Sequence, residues 1–162
     1  MEVRDATAKD AAQIAEIYNY YILNTPQTFE TEALTSDDMQ KRIETIQMEY
    51  PYLVAVEDSE ILGYAYADNF KLRKAYNYAC EVSIYVKNDA KKRGVGSRIY
   101  EVLFERLEQT NAHALLASIA LPNDGSVSFH EKLGFRKVGH FEEIGYKLGR
   151  WVDVGFWEKL NY

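Results

Sequence analysis

The stretch CEVSIYVKNDAKKRGVGSRIYEVLFERLE, residues 80–108, constrains the fold more than any other part of the chain. Its first seven residues are rich in β-branched side chains and read as a strand ending at Val86. From Ser97 to Glu108 the pattern becomes helical, with Ile99, Leu103 and Leu107 on one face. Between them lies a short polar connection that closes on Gly94 and Gly96. The first turn of a helix leaves backbone N–H groups without partners, and the helix dipole makes that end positive. Glycines allow close approach of a ligand to that backbone. Lys91, Lys92, Arg93 and Arg98 add cationic side chains. The segment therefore suits an anionic, phosphate-bearing ligand, or it is simply a helix start with solvated lysines.

The flanking sequence supplies the rest of a layered fold. MEVRDA reads as a first strand. Thr7 and Asp10 mark a helix start, and Ala11, Ile14, Tyr18 and Tyr21 recur at helical spacing. TSDDMQKRIETIQME predicts a second helix, with Ser36 as its cap and Met39, Ile43 and Ile46 as its apolar stripe. YLVAVE and ILGYAYADNF flank the polar DSE and predict a hairpin. HALLASIAL has the length and apolar character of a central strand. NDGSVSFHEKLGF predicts a helix ending at Gly134. FRKVGHFEEI and RWVDVGFWEKL predict two closing strands. The order is strand, two helices, three strands, helix, strand, helix, two strands. That order predicts an α/β (α+β) fold whose sheet mixes antiparallel and parallel pairs.

Bulk properties exclude several functions. A net charge of −6 argues against nucleic acid as a partner. A single cysteine, Cys80, excludes an internal disulfide framework and fits a reducing cytosol. No apolar signal region opens the chain, and its apolar runs are too short to span a bilayer. The expectation is one domain over residues 1–162, cytoplasmic, with no membrane partner and no metal. Neither the Walker pattern nor the three-glycine dinucleotide fingerprint is present.

Strand, turn, KKRGVGS and helix together resemble the acetyl-CoA motif of the GNAT N-acetyltransferase superfamily, Gln/Arg-x-x-Gly-x-Gly/Ala. Lys91 stands where Gln or Arg is usual, and the proline common before the loop is missing. IYNYYILNTPQTFETE, KLRKAYNYACEVSIYV, LPNDGSVSFHEKLGF and KLGRWVDVGFWEKL further resemble the phosphinothricin N-acetyltransferase group, in order over nearly the whole chain. The resemblance implies the GNAT fold, a mixed central sheet flanked by helices. It also implies a homodimer and acetyl-CoA as co-substrate. Acetyl would pass to the α-amine of a small amino acid such as phosphinothricin, methionine sulfoximine or methionine sulfone. A different amine, such as a polyamine or a protein N-terminus, is the alternative within the family. A CoA-binding module without transferase activity is the alternative outside it.

Such a transfer needs a base for the protonated amine, a donor for the oxyanion and a proton for the thiolate. The resemblance places the catalytic glutamate at Glu81, which alternation sets on one strand face with Ser83 and Tyr85. The competing role for Glu81 is an edge glutamate paired with a lysine. His130 corresponds to the group's histidine near the thiol. It either donates to the leaving thiolate, positions the amine, or is a helix-face histidine with a satisfied hydrogen bond. Ile84, Tyr85 and Val86 correspond to the backbone that pairs with the pantetheine arm. Lys91 to Arg98, including Val95 and Ser97, correspond to the family's phosphate loop. Asn123 caps the fourth helix, contacts the cofactor, or does both.

For the amino acid, Lys71 and Arg73 supply cations on one face if their segment is extended, and Tyr76 supplies a hydroxyl. The other reading of the two cations is a solvated loop. Phe29 and Val154 match pocket-lining positions, and Phe29 is otherwise core. Cys80, on the face opposite Glu81, reads as a buried structural thiol rather than an acyl carrier. The aromatic VGFWEKLNY is either a subunit interface or core.

Overall fold

The computed structural model describes residues 1–91 and 93–161. Its elements follow the order read from the sequence: β1 (Glu2–Asp5), α1 (Ala11–Asn24), α2 (Ser36–Gln47), β2 (Tyr52–Glu57), β3 (Glu60–Asn69), β4 (Ala79–Val86), α3 (Val95–Glu108), β5 (Ala114–Leu121), α4 (Asp124–Lys132), β6 (Arg136–Lys147) and β7 (Arg150–Leu160). The strands form one mixed sheet in the order β1-β2-β3-β4-β5-β7-β6. Strands β4 and β5 pair in parallel, while β1–β2, β2–β3, β5–β7 and β6–β7 are antiparallel.

The chain divides into two compact units. The first holds Met1–Asn19, Leu34–Asp68 and Val82–Asn111. Its core gathers Ile14, Leu53, Val54, Ile61, Tyr64 and the inner face of α3, where Ile99, Tyr100, Leu103 and Leu107 are buried. The alternation of β2 and β3 puts Tyr52, Tyr64 and Tyr66 on one face, and their rings stack, Tyr52 on Tyr66 at 4.9 Å. Tyr64 in turn stacks on Tyr85 of β4 at 5.5 Å. Burial raises the Tyr52 and Tyr64 hydroxyls well above the usual tyrosine range. The Tyr52 hydroxyl finds its partner in the Met39 sulfur at 3.5 Å. Before α1, Asp10 accepts a bidentate pair from Arg4 at 2.8 and 2.9 Å and closes on the Thr7 backbone N–H at 2.7 Å.

The second unit holds Tyr20–Ala33, Asn69–Glu81 and Ala112–Tyr162. Here β5 is flanked by β7, from Ala114↔Leu160 to Leu121↔Asp153, and by the start of β4, from Ala79↔Ala114 to Glu81↔Leu116. Trp157 is the largest buried side chain, and its Nε1 donates to the Glu131 carboxylate of α4 at 3.1 Å. Within VGFWEKLNY, Trp157 therefore belongs to the core. Tyr162 of that stretch lies outside the described residues.

Several boundaries differ from the sequence reading, and three of the differences have a physical cause. Thr35, not Ser36, caps α2: its hydroxyl accepts from Asp38 N–H, and the Asp38 carboxylate accepts from Thr35 N–H at 3.1 Å. The reciprocal pair needs an acid three residues after the cap, which Thr35 has and Ser36 lacks. Helix α3 begins two residues before Ser97, at Val95, because Gly94 at φ +78° makes the turn. Strand β6 runs past Ile144 to Lys147, resuming after a bulge between Phe141 and Gly145. Glu143 takes φ +50° in the bulge, and its N–H donates to Asp153 at 2.8 Å. The bulge breaks the alternation that would have signalled the continuing strand.

Candidate active site

Strand β4 carries the first group of candidates. Cys80 and Val82 are buried, while Glu81, Ser83 and Tyr85 are half-buried, as alternation requires. Burial pushes the Cys80 thiol up to about 12, so at neutral pH it is not a nucleophile. Glu81 sits opposite Leu116 on an interior strand of the sheet, not on an edge. Among the described residues it makes no ion pair, so the paired edge glutamate is not what the fold contains.

In the first unit, β4 continues through Ile84, Tyr85 and Val86 toward the glycine turn. Its approach to β3 is unusually tight. A Cβ placed on Gly63 would stand 3.0 Å from the Tyr85 carbonyl oxygen, 3.2 Å from Val95 Cγ1 and 3.3 Å from Val86 Cα. One glycine of β3 thus lets the end of β4 and the first residue of α3 close on the same spot. Nothing in the periodicity of ILGYAYADNF singles out that glycine.

Gly94 opens α3 in the left-handed region, and a Cβ there would meet nothing within 4 Å. That space suits the close approach of a phosphate to the N–H groups of Val95, Gly96 and Ser97. Val95 can serve only through its backbone, because its side chain is buried. Ser97, Arg98, Lys91 and Arg93 are exposed. Among the loop's cations, Arg93 pairs with Glu57 at 2.5 Å and Arg98 with Glu101 at 2.5 Å. Exposed pairs of this kind are weak because water screens them, so an incoming phosphate can exchange with the carboxylates. Lys92 lies outside the described residues.

In the second unit, α4 fixes Asn123 and His130. The Asn123 side chain accepts from Ser126 N–H at 3.2 Å, so its capping role is present. At the other end, Gly134 at φ +91° and Phe135 return their N–H groups to the carbonyls of Glu131 and His130, a Schellman closure. The Phe135 ring meets the His130 ring edge-on at 5.4 Å. His130 is 3% exposed. Its Nδ1 lies 2.8 Å from the Ser126 carbonyl oxygen, which can only accept, so Nδ1 bears the proton and Nε2 is the acceptor. Burial lowers its pKa from the usual histidine value, against the opposing pull of that carbonyl. At neutral pH the ring is neutral, with no proton on Nε2 to give a thiolate.

Lys71, Arg73 and Tyr76 lie on a bent loop with a 3₁₀ turn at Lys74–Tyr76, not on an extended strand. The condition for Lys71 and Arg73 to share a face is therefore unmet. The Lys71 ammonium instead lies over the rings of Phe70 at 5.2 Å and Tyr76 at 5.5 Å, and Arg73 is exposed. Phe29 is 42% exposed and so is not core. Val154 is half-buried on β7, opposite Ala120 and Phe141. Sequence reasoning passed over Lys147, which is buried at the end of β6. No local signal marks it, because the carbonyls it meets belong to Tyr21 and Thr28.

Comparison with known proteins adds to this geometry. An acetyltransferase (GNAT) domain family matches residues 3–155. A phosphinothricin N-acetyltransferase of Streptomyces viridochromogenes is 39% identical over 159 residues, 98% of this chain and 87% of that protein. An L-methionine sulfoximine/L-methionine sulfone acetyltransferase of Salmonella typhimurium is 30% identical over 96% of this chain and 92% of its own. Among solved structures, a phosphinothricin acetyltransferase from Sinorhizobium meliloti in complex with AcCoA aligns at a TM-score of 0.94. It is 34% identical over 98% of this chain and 87% of that one.

Proposed function

The chain belongs to the acetyltransferase (GNAT) family, and from that premise we propose that it moves acetyl from acetyl-CoA to the α-amine of a small amino acid. Phosphinothricin, methionine sulfoximine and methionine sulfone are the substrate class, as the names of its relatives suggest. The family span of residues 3–155 draws on both compact units, which supports one catalytic domain over residues 1–162.

The observation that carries the reading is Glu81: a half-buried carboxylate on an interior strand, without an ion pair among the described residues. In this role Glu81 removes the amine proton, directly or through water. Backbone N–H at the Val86 end of β4 polarises the thioester carbonyl. His130 accepts an N–H of the amine at Nε2 and orients it. Val95, Gly96 and Ser97 offer backbone N–H groups to the phosphates of acetyl-CoA, with Lys91, Arg93 and Arg98 beside them and Asn123 as a further contact. Lys71, Arg73 and Tyr76 meet the substrate's anionic groups, and Phe29 and Val154 line its side chain. A cationic loop of this kind disfavours polyamines.

No helix among the described residues is long and apolar enough to cross a membrane, which is compatible with the cytoplasmic setting we assign. A homodimer is part of the same reading. Its support is that Phe141, Ile144, Tyr146 and Trp151 of β6 and β7 are exposed apolar side chains.

The test is thiol release from acetyl-CoA with phosphinothricin, methionine sulfoximine, methionine sulfone, spermidine and ordinary amino acids. Release with the first three supports the substrate class. No release with any of them, with acetyl-CoA still bound, sinks it. Glu81→Gln should lose about 10²- to 10⁴-fold in kcat with acetyl-CoA binding kept.

A further inference from the structure

Lys147 is 5% exposed, and among the described residues it is one of four buried polar or charged side chains. Its Nζ donates to the Thr28 carbonyl at 2.6 Å and reaches the Tyr21 carbonyl at 3.5 Å. A buried ammonium is tolerable only where carbonyls or carboxylates replace its water. Burial lowers the Lys147 pKa from the usual lysine value, and the nearby Glu30 carboxylate opposes that shift.

The two carbonyls belong to different pieces of chain. Tyr21 lies in the last turns of α1, and Thr28 in the segment that follows. That segment is ordered by its own bonds: Thr25 Oγ1 donates to the Tyr21 carbonyl at 2.9 Å, and Glu30 N–H donates to Thr28 Oγ1 at 3.3 Å. Phe29 is the next residue after Thr28. Its ring lies against Gly145, where an added Cβ would stand 2.3 Å from Cε2 and 2.4 Å from Cζ. Gly145 and Lys147 are two apart on β6 and so share a face. One face of β6 thus holds Thr28 by an ammonium and gives Phe29 a flat seat where no side chain intrudes.

We infer that Lys147 is a positioning residue for the amino-acid substrate: through the Thr28 carbonyl it fixes where Phe29 stands on β6. The inference rests on the proposed place of Phe29 in the substrate pocket. Lys147 itself touches no reacting atom. Removing its donors frees Thr28 and lets the Phe29 ring leave Gly145, so binding of the amino acid suffers and binding of acetyl-CoA does not.

Lys147→Met, Gly145→Ala and Phe29→Ala are compared by steady-state kinetics with phosphinothricin and acetyl-CoA. Lys147→Met should raise the phosphinothricin KM by about 10-fold, within the range expected of small misplacements, and leave the acetyl-CoA KM unchanged. Gly145→Ala, which moves the ring without touching the ammonium, should show the same split. If Lys147→Met does not fold, Lys147→Gln keeps an amide NH2 donor and is read instead, with the same split expected at smaller size. A rise for Phe29→Ala with none for the Lys147 variant overturns the inference and leaves the pocket reading standing. No rise for Phe29→Ala removes the pocket reading and the inference with it. Equal rises in both KM values mean a purely structural lysine and overturn it as well.

Discussion

Gly63→Ala is the sharpest probe of how the fold shapes the acetyl-CoA half of the site. Gly63 does not have a positive φ, so alanine can adopt its backbone conformation and the effect is steric. The new Cβ meets the Tyr85 carbonyl oxygen at 3.0 Å and Val86 Cα at 3.3 Å, both backbone atoms of β4 that cannot swing aside. Its third neighbour, Val95 Cγ1 at 3.2 Å, is the buried first residue of α3. Overpacking of this kind costs about 1–3 kcal/mol. Alanine returns about 0.4–1 kcal/mol by restricting the unfolded chain. The net loss is about 1–2 kcal/mol, a fall in Tm of roughly 2–8 °C for a chain of this size. Thermal unfolding measures it directly. Because the displaced atoms belong to Tyr85, Val86 and Val95, the KM for acetyl-CoA should rise while that for the amine stays level. Adding Val95→Ala removes one of the three contacts, so the double variant should lose less than the sum of the singles. A Tm equal to or above that of the parent would refute the close approach and the reasoning built on it.

Gly94→Ala tests conformation without crowding, since nothing lies within 4 Å of its Cβ position. The left-handed φ of +78° should make it cost about 1 kcal/mol in chemical denaturation. Cys80 should resist an aromatic disulfide reagent in the native protein at pH 8 and react fully once unfolded, and Cys80→Ala should retain turnover. His130 carries a sign that can be checked. Its folded pKa lies below the unfolded value, so its contribution to stability is complete above about pH 6.5. Below that it declines by up to about 1.4 kcal/mol per pH unit, until the folded ring protonates. Denaturation across that window, compared with His130→Gln, isolates it. The kcat/KM for the amine should fall, not rise, as pH drops through the same ionisation. Asp10 has the opposite linkage: its folded pKa is depressed by Arg4, so its stabilisation is present above about pH 4 and disappears as pH falls through the folded value. Asp10→Ala should abolish that acid-side dependence in the same experiment.

Much of this protein was legible in its sequence because the signals involved are local. Hydrophobic period depends on a few turns or a few pleats, so the order of eleven elements could be read before any contact was known. Gly94 and Gly134 were legible for the same reason, each next to the helix end it shapes. The placement of Cys80 and Glu81 on opposite faces of β4 followed from alternation alone.

What the structure decided lies partly in local conformation that periodicity does not encode and partly in contacts between residues far apart in the chain. The proton on His130 Nδ1 is assigned by a carbonyl, and its low pKa by the packing around a buried ring. Lys71 and Arg73 lost their shared face because a 3₁₀ turn bends their loop and aromatic rings gather around the Lys71 ammonium. Gly63 matters only because β4 and α3 converge on it. Lys147 is buried at the end of β6, beyond the bulge, and it is tolerable there only because Thr28, more than a hundred residues earlier, lends it a carbonyl. Local periodicity selects secondary structure, whereas burial and the satisfaction of buried polar atoms are settled by whichever distant groups arrive.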